Sequence, residues 1–293
     1  MAVEAADKAK TVVDNALRVL GDVATLPEVT IKIIQIVEDP KSTARDLHEV
    51  IKNDPALSVK VLKVVNSAFY GLPGQVASVD RAIILLGLSA VKNIAIAASI
   101  ARLFKGRRIS EHFSASDLWR HSVAVAVIAQ DIAKISPHPV LPDEIFVAGI
   151  IHDIGTMVQR QACPDEFAEA VNRCVATGTD FLECERQVMG ADHQAFGVGL
   201  TTKWKFPRHL RAAVGFHHNP ESLSVELRNL ATLVQTADIL CCQEKIGFYL
   251  TAQNATITEE MLEQLSITPE QIEELRSTLP EKVADAETVL ASS

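Results

Sequence analysis

A chain of 293 residues with 48% apolar content can bury one large core or two modest ones, and an aromatic share of 5% leaves aliphatic residues and alanine to fill them. No run reaches the roughly 18 uninterrupted apolar residues of a membrane span, and the N-terminal stretch MAVEAADKAKTVVDNALRVL mixes charges of both signs, unlike a signal peptide. The net charge of −9 is concentrated after Ala255, where nine acidic residues face Arg276 and Lys282 for a net −7; the remaining −2 gives the main body no general electrostatic footprint for nucleic acid.

Helix signals recur along the whole chain. A first helix covers about residues 3–20 and stops at Gly21. A second follows Leu26-Pro27 and runs to Pro40; Thr43 with Asp46 opens a short third. Asp54-Pro55 supplies an N-cap carboxylate and a proline at the first helical position of a fourth, which ends near NSAFYG. Ser78 caps SVDRAIILLG, closed by Gly87, and Ser89 opens a helix that ends at Gly106. Short helices joined by short turns describe an orthogonal cluster. After GRRISEHFSAS the pattern lengthens. Helical stretches follow over about 116–135, through DEIFVAGIIHDIGTMVQRQ, near 164–176 and 180–189, through HQAFGVGLTTKWKF and RHLRAAVGFHH, and through VELRNLATLVQTADILCCQ. Thr256 with Glu259, and Thr268-Pro269 with Gln271, fit capping boxes that start two short acidic helices. There is no strand alternation and no internal repeat. The fold class is all-α: a multi-helix bundle with an additional orthogonal N-terminal helical subdomain.

The five cysteines (Cys163, Cys174, Cys184, Cys241, Cys242) form no C-x-x-C pair, and their odd number argues against a disulfide framework. The expectation is a reduced, cytoplasmic protein in which Cys241-Cys242 serve as small buried hydrophobes. Lys105, Arg107 and Arg108 read as a solvated helix end. Asn66, Ser67 and Tyr70 read as a helix cap with packing; their functional alternative is a ligand or partner surface. Trp204 reads as a packing residue between helices.

Nine histidines are distributed unevenly. His48, His112, His138 and His209 lie in polar or loop contexts. His121, His152, His193, His217 and His218 lie in apolar helical stretches. His121 alone reads as a core histidine, with Asp117 one turn earlier on its face. His152-Asp153, inside VAGIIHDIG, is the sharper signal, because both groups are costly to bury without partners. Gly149 and Gly155 on either side permit a neighbouring helix to approach. Asp238 lies in the apolar run LATLVQTADILCC. Adjacent helical residues diverge by about 100°, so one member of each pair is expected at the centre and the other at its rim. Imidazole and carboxylate together suit iron, manganese, zinc or cobalt better than calcium, and seven candidate ligands exceed what one tetrahedral ion takes. A buried His–Asp hydrogen-bond network without metal would use the same residues, and periodicity does not choose between them.

The order His121, His152-Asp153, Asp238 resembles the signature of the HD phosphohydrolase superfamily, and His193 with His217-His218 extends it toward the HD-GYP phosphodiesterases. NDPALSVKVLKVVNSAFYG (53–71), SVDRAIILLGLSAVKNIAIA (78–97), and residues 192–218 with their Trp204-Lys205-Phe206-Pro207 and terminal His-His, resemble the HDOD domain, an HD-related output domain. That resemblance covers about residues 18–245. It divides the chain into an N-terminal helix (1–17), an N-terminal helical half (18–110), an HD-like half bearing the His/Asp series (111–250) and an acidic helical tail (251–293). It implies a signal-transduction module and a metal site of one or two ions, iron or manganese before zinc, held by His121, His152, Asp153, His193, His217, His218 and Asp238. Its partner would be a signalling protein or a small nucleotide ligand, with neither membrane nor nucleic acid expected. The alternative it implies is a metal-dependent nucleotide or cyclic nucleotide phosphohydrolase. Two departures weigh against that alternative: no GYP motif follows His193, and Thr156 stands where the HD-GYP motif HDIGK has lysine.

Overall fold

The computed structural model describes residues 2–21, 28–39, 41–66, 70, 72–106, 108–138 and 142–290. The expectations placed on Leu26-Pro27, Pro40, Ser67 and Arg107 lie outside these residues. Among the described residues the chain is helical throughout and no helix is long and apolar enough to cross a membrane.

The first half is a cluster of α1 (Ala2–Leu20), α2 (Glu28–Glu38), α3 (Ala44–Lys52), α4 (Pro55–Val65), α5 (Val79–Leu86) and α6 (Leu88–Ile100). Its punctuation follows the local chemistry. The Thr43 hydroxyl and the Asp46 carboxylate form a reciprocal capping box, Asp54 accepts from the Leu57 amide ahead of Pro55, and Ser78 accepts from the Arg81 amide. Ser89 does not cap α6; that helix starts directly from Gly87, whose φ of 88° turns the chain without a side-chain cap. Asn66 ends α4, donating to the Leu62 and Val76 carbonyls at 2.8 Å each and accepting from the Val76 amide at 2.6 Å. This is the cap reading of NSAFYG. Arg108 donates to the Ser110 and Glu111 carbonyls of its own loop, as a helix-end residue does.

The second half comprises α7 (Ala115–Ile135), α8 (Pro142–Ile151), α9 (Ile154–Ala162), α10 (Pro164–Thr177), α11 (Phe181–Met189), α12 (His193–Lys203), α13 (Arg208–Phe216) and α14 (Val225–Gln243). The central helix is α7, buried along almost its whole length and packed against α8, α14 and the last helix. Glycine sets two of the tightest crossings. A Cβ on Gly149 would meet the Ala126 backbone of α7, and one on Gly155 would meet the His193 carbonyl and Gly197 amide of α12. Trp204 is buried against Phe206, as a packing residue.

The acidic C-terminal segment forms α15 (Glu259–Leu265) and α16 (Pro269–Leu290). Thr258, not Thr256, caps α15, whereas Thr268 and Gln271 cap each other as expected. α16 is longer than a short tail helix because its inner face carries Ile272, Leu275, Leu279 and Val283, all buried. It lies along α7, where Lys282 reaches Asp131 at 2.6 Å. The carboxylates of Glu270, Glu273, Glu274 and Glu281 are exposed to solvent.

Candidate metal centre

Six helices deliver seven side chains to one point inside the second half. His121 comes from the middle of α7. The stretch VAGIIHDIG is not one helix: α8 ends at Ile151 and α9 begins at Ile154, with His152 and Asp153 at the break. The 100° divergence expected of helical neighbours therefore does not apply, and both side chains are fully buried. His193 opens α12, His217 closes α13 with His218 just beyond, and Asp238 lies on α14. Here the expected centre-and-rim division holds: His217 is fully buried, while the His218 side chain keeps 12% exposure.

Asp153 is the hub. Its Oδ2 lies 3.3 Å from His152 Nε2 and 3.8 Å from His121 Nε2. Its Oδ1 lies 3.3 Å from both His193 Nε2 and His217 Nε2. Asp238 Oδ1 lies 3.0 Å from His121 Nε2 and 3.9 Å from His152 Nε2, and Oδ2 lies 4.0 Å from His218 Nδ1. The site thus has two halves that share one carboxylate: His121, His152 and Asp238 on one side, His193, His217 and His218 on the other.

The outer nitrogens fix the tautomers. His121 Nδ1 lies 3.2 Å from the Ile246 carbonyl, His152 Nδ1 2.7 Å from that of Gly149, and His217 Nδ1 3.0 Å from that of Val214. A carbonyl only accepts, so each Nδ1 must carry the proton, and in the neutral ring each Nε2 presents a lone pair inward. His193 differs: its Nδ1 lies 2.8 Å from a carboxylate oxygen, Glu185 Oε2. Around His121, Gly247 lies against Asp117 and the His121 amide, and the Phe248 amide donates to the Asp117 carbonyl. Asp117 therefore serves His121 through this backbone contact; its side chain is engaged with Ser114 at the start of α7. Phe181 stacks on His193 at 6.3 Å and meets Phe248 edge-to-face, which in turn meets Phe113 edge-to-face. On α14, the Cys242 thiol donates to Asp238 Oδ1 at 3.3 Å. Burial pushes the Cys241 and Cys242 thiols well up, consistent with unreactive buried groups.

Charge is unevenly held. Burial opposes ionisation of Asp153 and Asp238, yet the surrounding imidazoles keep both carboxyls below the usual range. Burial also opposes charge on His193, but Glu185 and Asp153 outweigh it and raise its pKa to about 10. Burial lowers His217 and His218, which stay neutral. Burial opposes charge on His152 too, yet Asp153 and Asp238 raise it, and protonation alone does not satisfy the cluster. His121 Nε2, His152 Nε2, both Asp153 oxygens and Asp238 Oδ2 are buried without a hydrogen-bond partner. Lone pairs of nitrogen and oxygen face one another there, an arrangement that costs free energy unless a cation lies between them. The residues fit a divalent ion: within each of several groups, including Asp153, His193, His217 and His218, the donor atoms lie within 4.8 Å of one another.

The centre opens at His218. A cavity of about 420 Å³ reaches it, lined among others by Asp180, Arg186, Gln194, His218 and Gln235. Gln194 accepts from the His218 amide and Gln235 donates to its carbonyl, each at 3.2 Å, so the rim histidine is held from both sides. Arg186 is engaged with Asp192 at 2.6 Å. Thr156 is fully buried, its hydroxyl unpaired. Sequence reasoning reached all seven clustered residues but not Glu185. The available signal was its position: on α11, Phe181, Leu182, Cys184, Glu185 and Met189 are buried, and Glu185 is the one acidic member of that set.

An all-helical fold that gathers His, His-Asp and Asp in a water-excluded centre defines an HD-type protein. The chain belongs to the HDOD domain family, whose model matches residues 23–220. Its fold is similar to an HDOD domain protein of unknown function from Geobacter sulfurreducens, at 22% identity and a TM-score of 0.84, covering 97% of this chain and 99% of that one. It is also similar to a Shewanella amazonensis SB2B structure named "Putative phosphohydrolase", at 25% identity and a TM-score of 0.72, covering 94% and 98% of the two chains. An uncharacterised protein of Treponema pallidum (strain Nichols) is 22% identical over 220 residues, 75% of this chain; the match spans 42% of that relative's length.

Proposed function

We propose that this HDOD protein is a signal-transduction module that retains a divalent-metal site, with iron or manganese before zinc, one or two ions. The observation that carries the reading is the shared Asp153 carboxylate facing inward-pointing Nε2 lone pairs on both sides. His121, His152, Asp153 and Asp238 would hold one ion; Asp153, His193, His217 and His218 would hold a second. Metal content of anaerobically purified protein tests this. Wild type is expected to carry at least one equivalent of iron or manganese, and the His152→Ala, Asp153→Ala double variant less than about a tenth of that. Equal content in both, or none in either, leaves a hydrogen-bonded core and removes the metal reading.

A regulatory role is favoured over turnover by the mouth. Its lining offers one guanidinium, Arg186, which Asp192 already engages, and Thr156 is sealed in the interior. Phosphoryl transfer needs positive groups that meet developing charge. The partner would be a signalling protein or a small nucleotide ligand. The intact ligand series and the open mouth favour a second reading, a metal-dependent phosphohydrolase. A bound ion would then polarise a phosphoryl oxygen as a Lewis acid, while Gln194 and Gln235 keep His218 oriented at the entrance. A panel of mono- and cyclic nucleotides with manganese or iron(II) is expected to show no turnover. Robust hydrolysis that His152→Ala abolishes would reverse the preference.

A further inference from the structure

Glu185 is a fully buried carboxylate, distant in sequence from every candidate ligand except His193. Two of its hydrogen bonds go to that residue, and the Gln159 side chain also approaches the carboxylate. Oε2 accepts from the His193 ring at Nδ1, 2.8 Å away, and from the His193 backbone amide at 3.2 Å. Oε1 has no partner. Around the ring, Phe181 from the same helix stacks on one face, so α11 both orients the imidazole and seals it from water. No other histidine in the centre is held this way. His121, His152 and His217 lean on backbone carbonyls, and His218 is fixed through its own backbone.

A buried carboxylate without a purpose is expensive, since taking such an ion out of water costs several kcal/mol even after relaxation. Substituting a neutral residue on this apolar helix face would remove that cost. Its placement has a direct consequence for the neighbouring ring. A carboxylate accepting from Nδ1–H turns Nε2 toward Asp153 and increases its donor strength beyond what a carbonyl supplies.

We propose that Glu185 is a positioning residue that holds His193 as a metal ligand and sets the affinity of the half-site formed by Asp153, His193, His217 and His218. The inference rests on the metal reading above and assigns its support to a residue outside the ligand series.

The test compares wild type with Glu185→Gln and Glu185→Ala. Manganese affinity is measured by competition with a chelator, and the visible absorption of the cobalt(II)-loaded proteins reports ligand geometry. Glutamine keeps the shape and an acceptor but loses the charge-assisted bond. Loss of such a partner weakens metal binding by roughly 10–100-fold, so a Kd increase of at least about tenfold is expected in Glu185→Gln, with altered cobalt bands and an unchanged circular dichroism spectrum without metal. Glu185→Ala, where it folds, is expected to lose more. A Kd within about twofold of wild type and an unchanged cobalt spectrum in Glu185→Gln overturn the proposal and leave Glu185 a packing residue. Wild-type protein that takes up neither ion overturns the metal reading itself, a result distinguishable from the former because it precedes any substitution.

Discussion

Saturating the wild-type protein with manganese is expected to raise its melting temperature by roughly 8 °C, and Asp153→Ala to abolish that rise. A ligand bound only by the folded state stabilises it by about 4 kcal/mol when free ligand is a thousandfold above Kd, and a domain of this size gains roughly 2 °C per kcal/mol. The effect is large because the metal-free centre is poorly satisfied: five buried polar atoms on His121, His152, Asp153 and Asp238 lack hydrogen-bond partners. Asp153 is the decisive position, since its two oxygens serve different halves of the site. Removing it deprives both. Asp238→Ala is the informative contrast. Asp238 approaches His121 at 3.0 Å and reaches the other half less closely, at 4.0 Å from His218 and within 4.8 Å of His217. That variant is expected to keep part of the metal-dependent shift. Scanning calorimetry at several manganese concentrations measures both effects. A full shift surviving in Asp153→Ala would show that any bound ion lies elsewhere.

The order of histidines and aspartates made the site legible because its ligands are side chains of unusual type in apolar company. The supports of those ligands were less legible. His121 depends on the Ile246 carbonyl, and a backbone carbonyl leaves no mark in a sequence beyond the turn that aims it, here Gly247 with a φ of 66°. Glu185 stands beside the exposed Glu183, Arg186 and Gln187 in FLECERQVM, and only the helical period separates it from them and turns it inward. The break between α8 and α9 was hidden for a different reason. The residues around it are apolar and free of proline, so local propensity continues the helix. Tertiary contact decides instead: Gly149 against α7 and Gly155 against α12 give the two segments different directions. The C-terminal helices show the same limit, since acidic composition announced solvated faces and concealed the leucines that dock α16 on α7.

Those two glycines bind the fold to the site, and Gly155 does so most directly. Gly155→Ala is expected to cost about 3 kcal/mol of stability, the upper part of the range for overpacking, and to weaken metal uptake together with it. An added Cβ at this position would meet the His193 carbonyl carbon and oxygen and the Gly197 amide, all main-chain atoms that cannot rotate away. Relief requires α9 and α12 to separate, and His193 is the first residue of α12. The same movement therefore draws a ligand away from Asp153. Gly199→Ala provides the control on the same helix. Its Cβ would approach Val13 Cγ1 at 2.5 Å and Leu17 Cδ1 at 3.1 Å, both side-chain tips on α1. These can yield by rotation or by a small shift of α1, so about 1 kcal/mol or less is expected, with metal uptake unchanged. Urea denaturation and metal analysis of the two variants separate the cases. Equal losses at the two positions would mean that the α9–α12 crossing yields as readily as a side chain, and that the histidine centre is not held by the close approach of these helices.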